Sequence, residues 1–255
     1  MVVTRHTKTS SEEATSSEEI TGDTYRLRYN STKERFEAQR KIAEKWFTEW
    51  AKPAYNLEEN FTGYVITGAY LIGQNTFFLG TVGGGSAAII QAPTGGVRFS
   101  TGGGGGSSTF LGTGVGALQN FYRPDKEIFA TFEQKIPNAP DLLYNDWFLG
   151  FFLDDDNYLG WNYIADAAVD QWFLITKAGG VETVTKVGES PGIEPITLRL
   201  SITDSLVRGW YNDEIIIEHT TNIPNETMAL LYNVTNRAAA VKNADLLSIN
   251  ILNDL

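Results

Sequence analysis

The residues of this chain that could do chemistry are few and fall in small groups. Asp213, Glu214 and Glu218 form one acidic cluster, Asp154-Asp155-Asp156-Asn157 forms another, and His219 closes the run EIIIEH. Paired carboxylates cleave glycosidic bonds when one protonates the leaving oxygen and a second, about 5–5.5 Å away, attacks the sugar. Glu214 and Glu218 share a strand face, but their spacing, on a turn and the strand after it, does not make that pair. Consecutive aspartates offer the hard oxygen ligands that Ca2+ takes. On one tight turn the three cannot all point at one ion, so they read as a solvated tip. His219 reads as a strand-end residue exposed near a turn rather than a general base, and the other histidine, His6, sits in a polar N-terminal stretch. The five glycines 102–106 occur in neither GxxxxGK[ST] nor a GxGxxG that opens a helix, so they read as a flexible, solvent-facing loop. There are no cysteines, which removes disulfides and thiolate metal sites. The expectation is a non-enzyme with no catalytic residue, no metal site and no cofactor.

Two groups of residues point to binding instead. Sugar recognition uses an exposed flat ring beside amide or carboxylate groups. Trp161, Tyr163, Trp172, Trp210 and Tyr211, with Asn157 and Asn162 nearby, are the candidate glycan contacts. The same rings on strands also suit a core. Trp210 and Tyr211 are adjacent and must face opposite sides of a strand, which places one of them outside the core or at an interface. The second group is Phe36, Ile42, Trp46, Phe47 and Trp50, recurring near three- and four-residue spacing in KERFEAQRKIAEKWFTEWA. Ser31 and Glu34 have capping-box spacing and Pro53 ends the run, which predicts an amphipathic helix. Its stripe carries too much apolar area to leave in water. It either packs on the protein's own sandwich or anchors the chain to neighbouring subunits.

The elements that position these residues are strands. In EPITLRLSITD, Ile196, Leu198, Leu200 and Ile202 alternate with polar residues, the period of a strand with one buried face. Asp204-Ser205 and Asn212-Asp213 then turn the chain twice, giving an antiparallel meander through LVRGWY and EIIIEH. Similar short runs from Phe61 onward predict an all-β sandwich of about twelve to fourteen antiparallel strands. The expected organisation is a polar arm over 1–24, a helical anchor segment over 25–57 and a β-sandwich domain over 58–255.

The chain has 255 residues and a formal net charge of −11. Residues 1–50 are balanced, nine basic against nine acidic, so the excess falls on 51–255, eleven against twenty-two. An acidic domain repels phosphate backbones and anionic lipid, which argues against nucleic-acid and membrane partners. No apolar run reaches the length of a membrane span.

The order of features from about residue 60 onward resembles a concanavalin-A-like (LamG-type) jelly roll, of the kind found in phage and viral structural proteins. The resemblance rests on the Gly-rich stretch 83–106, EIFATFEQKI, WFLGFF, the hairpin WFLITKAGGVETVT and ITLRLSITDSLVRGWYNDEIIIEHT. Glu214 departs from it, standing where the family usually has Gly after Asn-Asp. The resemblance implies a fold that hosts glycoside hydrolases, lyases, lectins, adhesins and viral surface proteins, so it does not by itself give function. Retaining glycosidases of this fold usually carry Glu-x-Asp-x-x-Glu on one strand, and that motif is absent here. With the polar arm and the aromatic helix, the reading is a structural component of a virion: a capsid decoration protein, head fibre or tail appendage. It would attach to a major capsid or tail protein through its N-terminal segment, as a homo-oligomer such as a trimer. The alternative is a carbohydrate-binding or adhesive module that takes a surface glycan, and after it a polysaccharide-active enzyme.

Overall fold

A computed structural model describes residues 25–30, 35–42, 45–51, 55–59, 71–72, 77–90, 95–112, 127–165, 170–187 and 193–253. The chain divides into two compact units, Met1–Lys52 and Pro53–Leu255.

In the first unit β1 (Tyr25–Asn30), β2 (Arg35–Ile42) and β3 (Lys45–Ala51) form an antiparallel sheet in that order. Tyr25 lies opposite Arg40, Tyr29 opposite Phe36, and Ile42 opposite Lys45. This corrects the predicted helix. Phe36 and Ile42 belong to β2, and Trp46, Phe47 and Trp50 to β3, so they share no helical stripe. The physical reason lies in competing periods. Aromatic residues suit strands as well as helices, Trp46, Thr48 and Trp50 also recur at a spacing of two, and YRLRYN supplies a strictly alternating neighbour to pair with. The polar arm 1–24 and the capping pair Ser31 and Glu34 lie outside the described residues.

The second unit is an antiparallel β-sandwich of the jelly-roll type. Its strands are β4 (Tyr55–Glu59), β5 (Leu71–Ile72), β6 (Phe77–Val82), β7 (Ser86–Ile89), β8 (Val97–Ser100) and β9 (Ser108–Gly112). They continue with β10 (Ile128–Lys135), β11 (Asn145–Asp154), β12 (Asn157–Ala165), β13 (Asp170–Ala178) and β14 (Val181–Lys186). The last five are β15 (Ile196–Ile202), β16 (Val207–Tyr211), β17 (Ile215–His219), β18 (Ala229–Asn236) and β19 (Asn243–Asn253). Sheet I runs β17-β16-β15-β10-β19-β8-β7, with β4 also paired to β19, and sheet II runs β14-β13-β12-β11-β18-β9-β6-β5. The sixteen strands among the described residues exceed the number read from sequence because pieces such as the two-residue β5 are too short to show a period.

Turn chemistry sets the hairpins. Asn212 (φ 50°) and Asp213 (φ 61°) join β16 to β17 with both central residues left-handed, the turn that matches strand twist. Because those two supply the positive φ, the following residue does not need to be glycine, and Glu214 is tolerated there.

The core between the sheets is aromatic. Trp147, Trp161 and Trp172 project inward from sheet II and are buried, and Trp147 stacks on Tyr163 at 4.5 Å. Trp161 crosses the interior and its Nε1 donates to the Arg199 carbonyl of sheet I at 3.0 Å. It fits only because residue 209 of β16 is glycine; a Cβ there would collide with the indole and with Leu174. Removing a buried Trp side chain costs about 3–5 kcal/mol. Trp161→Ala is therefore expected to lower the unfolding free energy by about that amount in urea titration.

Candidate functional site

The five aromatic residues read from sequence as glycan contacts are buried: Trp161, Tyr163, Trp172 and Trp210 at 0% exposure and Tyr211 at 3%. None is available as a platform, which corrects that expectation. Trp161, Tyr163, Trp172 and Tyr211 belong to the inter-sheet core. Tyr163 Oη is spent on the Leu142 carbonyl at 2.8 Å. Trp210 does face the other side of β16 from Tyr211, with Phe129 6.2 Å away, but it too is buried. The largest rings are drawn inside because they bury the most apolar area per residue.

The acidic clusters are occupied with structural work. Asp213 pairs with Arg199 at 2.6 Å and Glu218 with Arg208 at 2.8 Å, and Glu214 is exposed in its turn. At the β11–β12 tip, Asp154 Oδ1 accepts from the Asp156 amide at 2.9 Å and from Asn157 Nδ2 at 3.0 Å, while Asn157 Oδ1 accepts from the Gly179 amide of the next hairpin at 3.0 Å. Among the described residues no group of three His, Cys, Asp or Glu side chains is placed to hold a metal ion. The glycine loop faces solvent over 103–106, as expected, and is pinned at both ends. Buried Asn236 accepts from the Ser107 amide at 2.9 Å and donates to the carbonyls of Gly102 and Ala240 at 2.7 and 2.8 Å.

His219 is buried rather than exposed at its strand end, because its ring links β17 of one sheet to β13 and β14 of the other. Its Nδ1 lies 3.1 Å from Thr176 Oγ1 and its Nε2 2.9 Å from Thr185 Oγ1. Thr176 donates its proton to the Thr221 carbonyl, so the Nδ1–H must donate to Thr176, and Nε2 accepts from Thr185. That arrangement is the neutral imidazole, and burial lowers the His219 pKa below its ordinary value. The unfolded chain then binds the extra proton more readily, so stability is full above about pH 6.5 and falls as the pH drops below it. Urea midpoints are expected to decline from pH 7 to pH 5 with a His219 contribution of at most about 1.4 kcal/mol per pH unit. His219→Gln should flatten that decline.

The candidate binding face among the described residues is the outer side of sheet II. Alternation along its strands sends Phe148 and Phe152 (β11), Tyr158 and Asn162 (β12), Phe173 and Lys177 (β13), Leu231 and Asn233 (β18) and Phe110 (β9) outward, each partly exposed. Register aligns them in rows across the strands. One row reads Phe110, Asn233, Phe148, Asn162, Phe173 and Lys186. A second row reads Ala229, Phe152, Tyr158, Lys177 and Glu182. Between them lies the row Gly112, Leu231, Gly150, Gly160, Ile175 and Val184, low at its centre where the two glycines pair. Gly150 and Gly160 face each other so closely that a Cβ on either would strike the opposite backbone. With no side chains there, the rings on both sides meet over the gap: Phe148 lies edge-on to Tyr158 at 5.7 Å, Phe152 stacks with Tyr158 at 6.1 Å, and Lys177 Nζ sits 5.4 Å from the Tyr158 ring centre. Burial, with Glu182 and Asp155 nearby, raises the Tyr158 pKa, keeping its hydroxyl a neutral donor and acceptor. Asn162, beside Phe148 and Phe173, spends no side-chain hydrogen bond on the described residues. The central strand β11 presents Asp146, Phe148, Gly150 and Phe152 outward, a sequence without alternating carboxylates.

Of this face, sequence reasoning named only Asn162. A signal that marks two of the others is the residue after a core Trp: Phe148 follows Trp147 and Phe173 follows Trp172, as Asn162 follows Trp161.

Comparison with known proteins supports the fold. No protein-family profile matches the sequence, and no curated protein does. Among solved structures, a protein of unknown function from Shewanella oneidensis is similar at TM-score 0.55 and 11% identity, over 77% of this chain and 85% of that one. The β-glucanase of Bacillus licheniformis is similar at TM-score 0.51 and 11% identity, over 77% of this chain and 97% of that one. The carbohydrate recognition domain of Emp46p in its metal-free form matches at TM-score 0.48 and 10% identity, over 69% and 87%. The first two share with this chain a concanavalin-like jelly-roll sandwich.

Proposed function

We propose that this protein is a non-catalytic carbohydrate-binding module whose ligand lies on the outer face of sheet II. The observation that carries the reading is the row of part-exposed rings with carboxamides between them, Phe110, Asn233, Phe148, Asn162 and Phe173. Aromatic faces take the C–H-rich faces of sugars, and an amide supplies both a donor and an acceptor to hydroxyls. The acidic balance of residues 51–255 disfavours anionic glycans, so the ligand is a neutral one. The absence of paired carboxylates on the outward positions of β11 supports binding over hydrolysis.

Retention on a panel of neutral polysaccharides tests the reading. Phe148→Ala and Phe173→Ala are expected to weaken retention about tenfold each, the equivalent of about 1.4 kcal/mol, while the chain stays folded with only a modestly lowered urea midpoint. Retention that these substitutions leave intact would place the ligand elsewhere.

The separate N-terminal unit, with its own three-stranded sheet, favours a second reading that is compatible with the first. Here residues 1–52 attach the chain to a particle, as a capsid decoration, head fibre or tail appendage, and the sandwich is displayed. Deleting residues 1–52 should abolish co-purification with virions while leaving polysaccharide retention unchanged, as followed by mass spectrometry of the purified particles.

A further inference from the structure

The spacing of the aromatic–amide row narrows the ligand further, an inference that rests on the carbohydrate-binding reading above. The row crosses five neighbouring strands, β9, β18, β11, β12 and β13, one residue per strand. Neighbouring strands lie about 4.8 Å apart, so the backbone positions of Phe110, Phe148 and Phe173 recur every two strands, about 9.6 Å, with those of Asn233 and Asn162 between them. One inter-strand step is close to the rise of one sugar in an extended β-1,4-linked chain. In such a chain successive sugars are turned over by half a rotation, so every second sugar offers the same face. Equatorial hydroxyls leave those faces rich in C–H and put the hydroxyls at the rim.

We infer that the row reads an extended, neutral β-1,4-linked polysaccharide lying across the strands. Alternate sugars stack on Phe110, Phe148 and Phe173, and the intervening sugars hydrogen-bond through their rims to Asn162 and to the one Nδ2 proton of Asn233 not given to Thr235 Oγ1, the Asn233 Oδ1 being buried. Several features agree with this. Asn162 keeps its donors and its acceptor uncommitted among the described residues. The Phe110 ring reclines over Gly80 of β6, where a Cβ would collide with it, and so caps one end of the row. Lys186 stands at the other end, on the edge strand β14. A helical α-linked glucan curves away from a row of this length and reaches only part of it.

Calorimetric titration of the full chain with β-1,4-linked gluco-, xylo- and N-acetylglucosamine oligosaccharides of two to six units tests the inference, with maltohexaose as the α-linked comparison. In at least one β-linked series, affinity should rise more than tenfold up to about five units, one per strand crossed, and then level off. Maltohexaose should bind at least tenfold more weakly than the matching hexamer. Phe173→Ala should shift the plateau to shorter chains, and Asn162→Ala should weaken the longer oligosaccharides several-fold while the urea midpoint stays unchanged. Affinity that does not depend on length, or equal affinity for maltohexaose, overturns the extended-chain inference and leaves the carbohydrate reading standing. No binding of any oligosaccharide, together with no retention on any polysaccharide, overturns both.

Discussion

The placement of three indoles between two sheets is the constraint from which the rest of the sandwich follows. Trp147, Trp161 and Trp172 sit on adjacent strands of sheet II and are completely or almost completely removed from water. Each strand has only two faces, so committing the tryptophan of β11, β12 and β13 to the interior commits its successor to the exterior. A one-residue slip of any of these strands would bring Phe148, Asn162 or Phe173 inside and expose an indole. The register of the core and the composition of the outer face are therefore one decision. Trp161 extends the constraint to sheet I by bonding to the Arg199 carbonyl and filling the notch at Gly209.

The two broad faces of the sandwich differ as a result. The outer side of sheet I carries the ion pairs Arg199–Asp213 and Arg208–Glu218, together with buried Trp210. Its charges neutralise one another within the protein. The outer side of sheet II holds rings, amides and the paired glycines, with most of its hydrogen-bonding capacity at Asn162 and Tyr158 unspent among the described residues. A surface of that composition gains most from a ligand that is itself half apolar and half hydroxylated.

Much of this architecture can be read from the chain. Strict alternation in ITLRLSI, and turn pairs such as Asn212-Asp213, carry their own geometry, and both the strands and the turns are where the pattern puts them. Other features depend on partners distant in sequence. Leu247 reads as an inward residue with Ile249 and Ile251, but Glu133 pairs with Ser248 and Gln134 with Leu246, so a bulge steps over Leu247 and leaves it only partly buried. The aromatic run over 35–51 satisfies two periods at once, and pairing with β1 selects the strand. The proposed binding face is hidden in the sequence for a related reason. Tryptophan is the residue one associates with sugar stacking, and here its size sends it to the core and leaves the outer face of sheet II to phenylalanine and asparagine.

The clamp that Asn236 places on the glycine run has a practical corollary. Both ends of the loop are bolted to the β18–β19 connection, while Gly103 to Gly106 are exposed. Extra residues spliced between Gly103 and Gly106 would start and finish at points already held in place, and lengthening a surface loop costs little free energy, about 0.6 kcal/mol per doubling. That site would accept a reporter peptide or a fluorophore attachment cysteine without disturbing either sheet. The chain contains no other thiol to compete for the label.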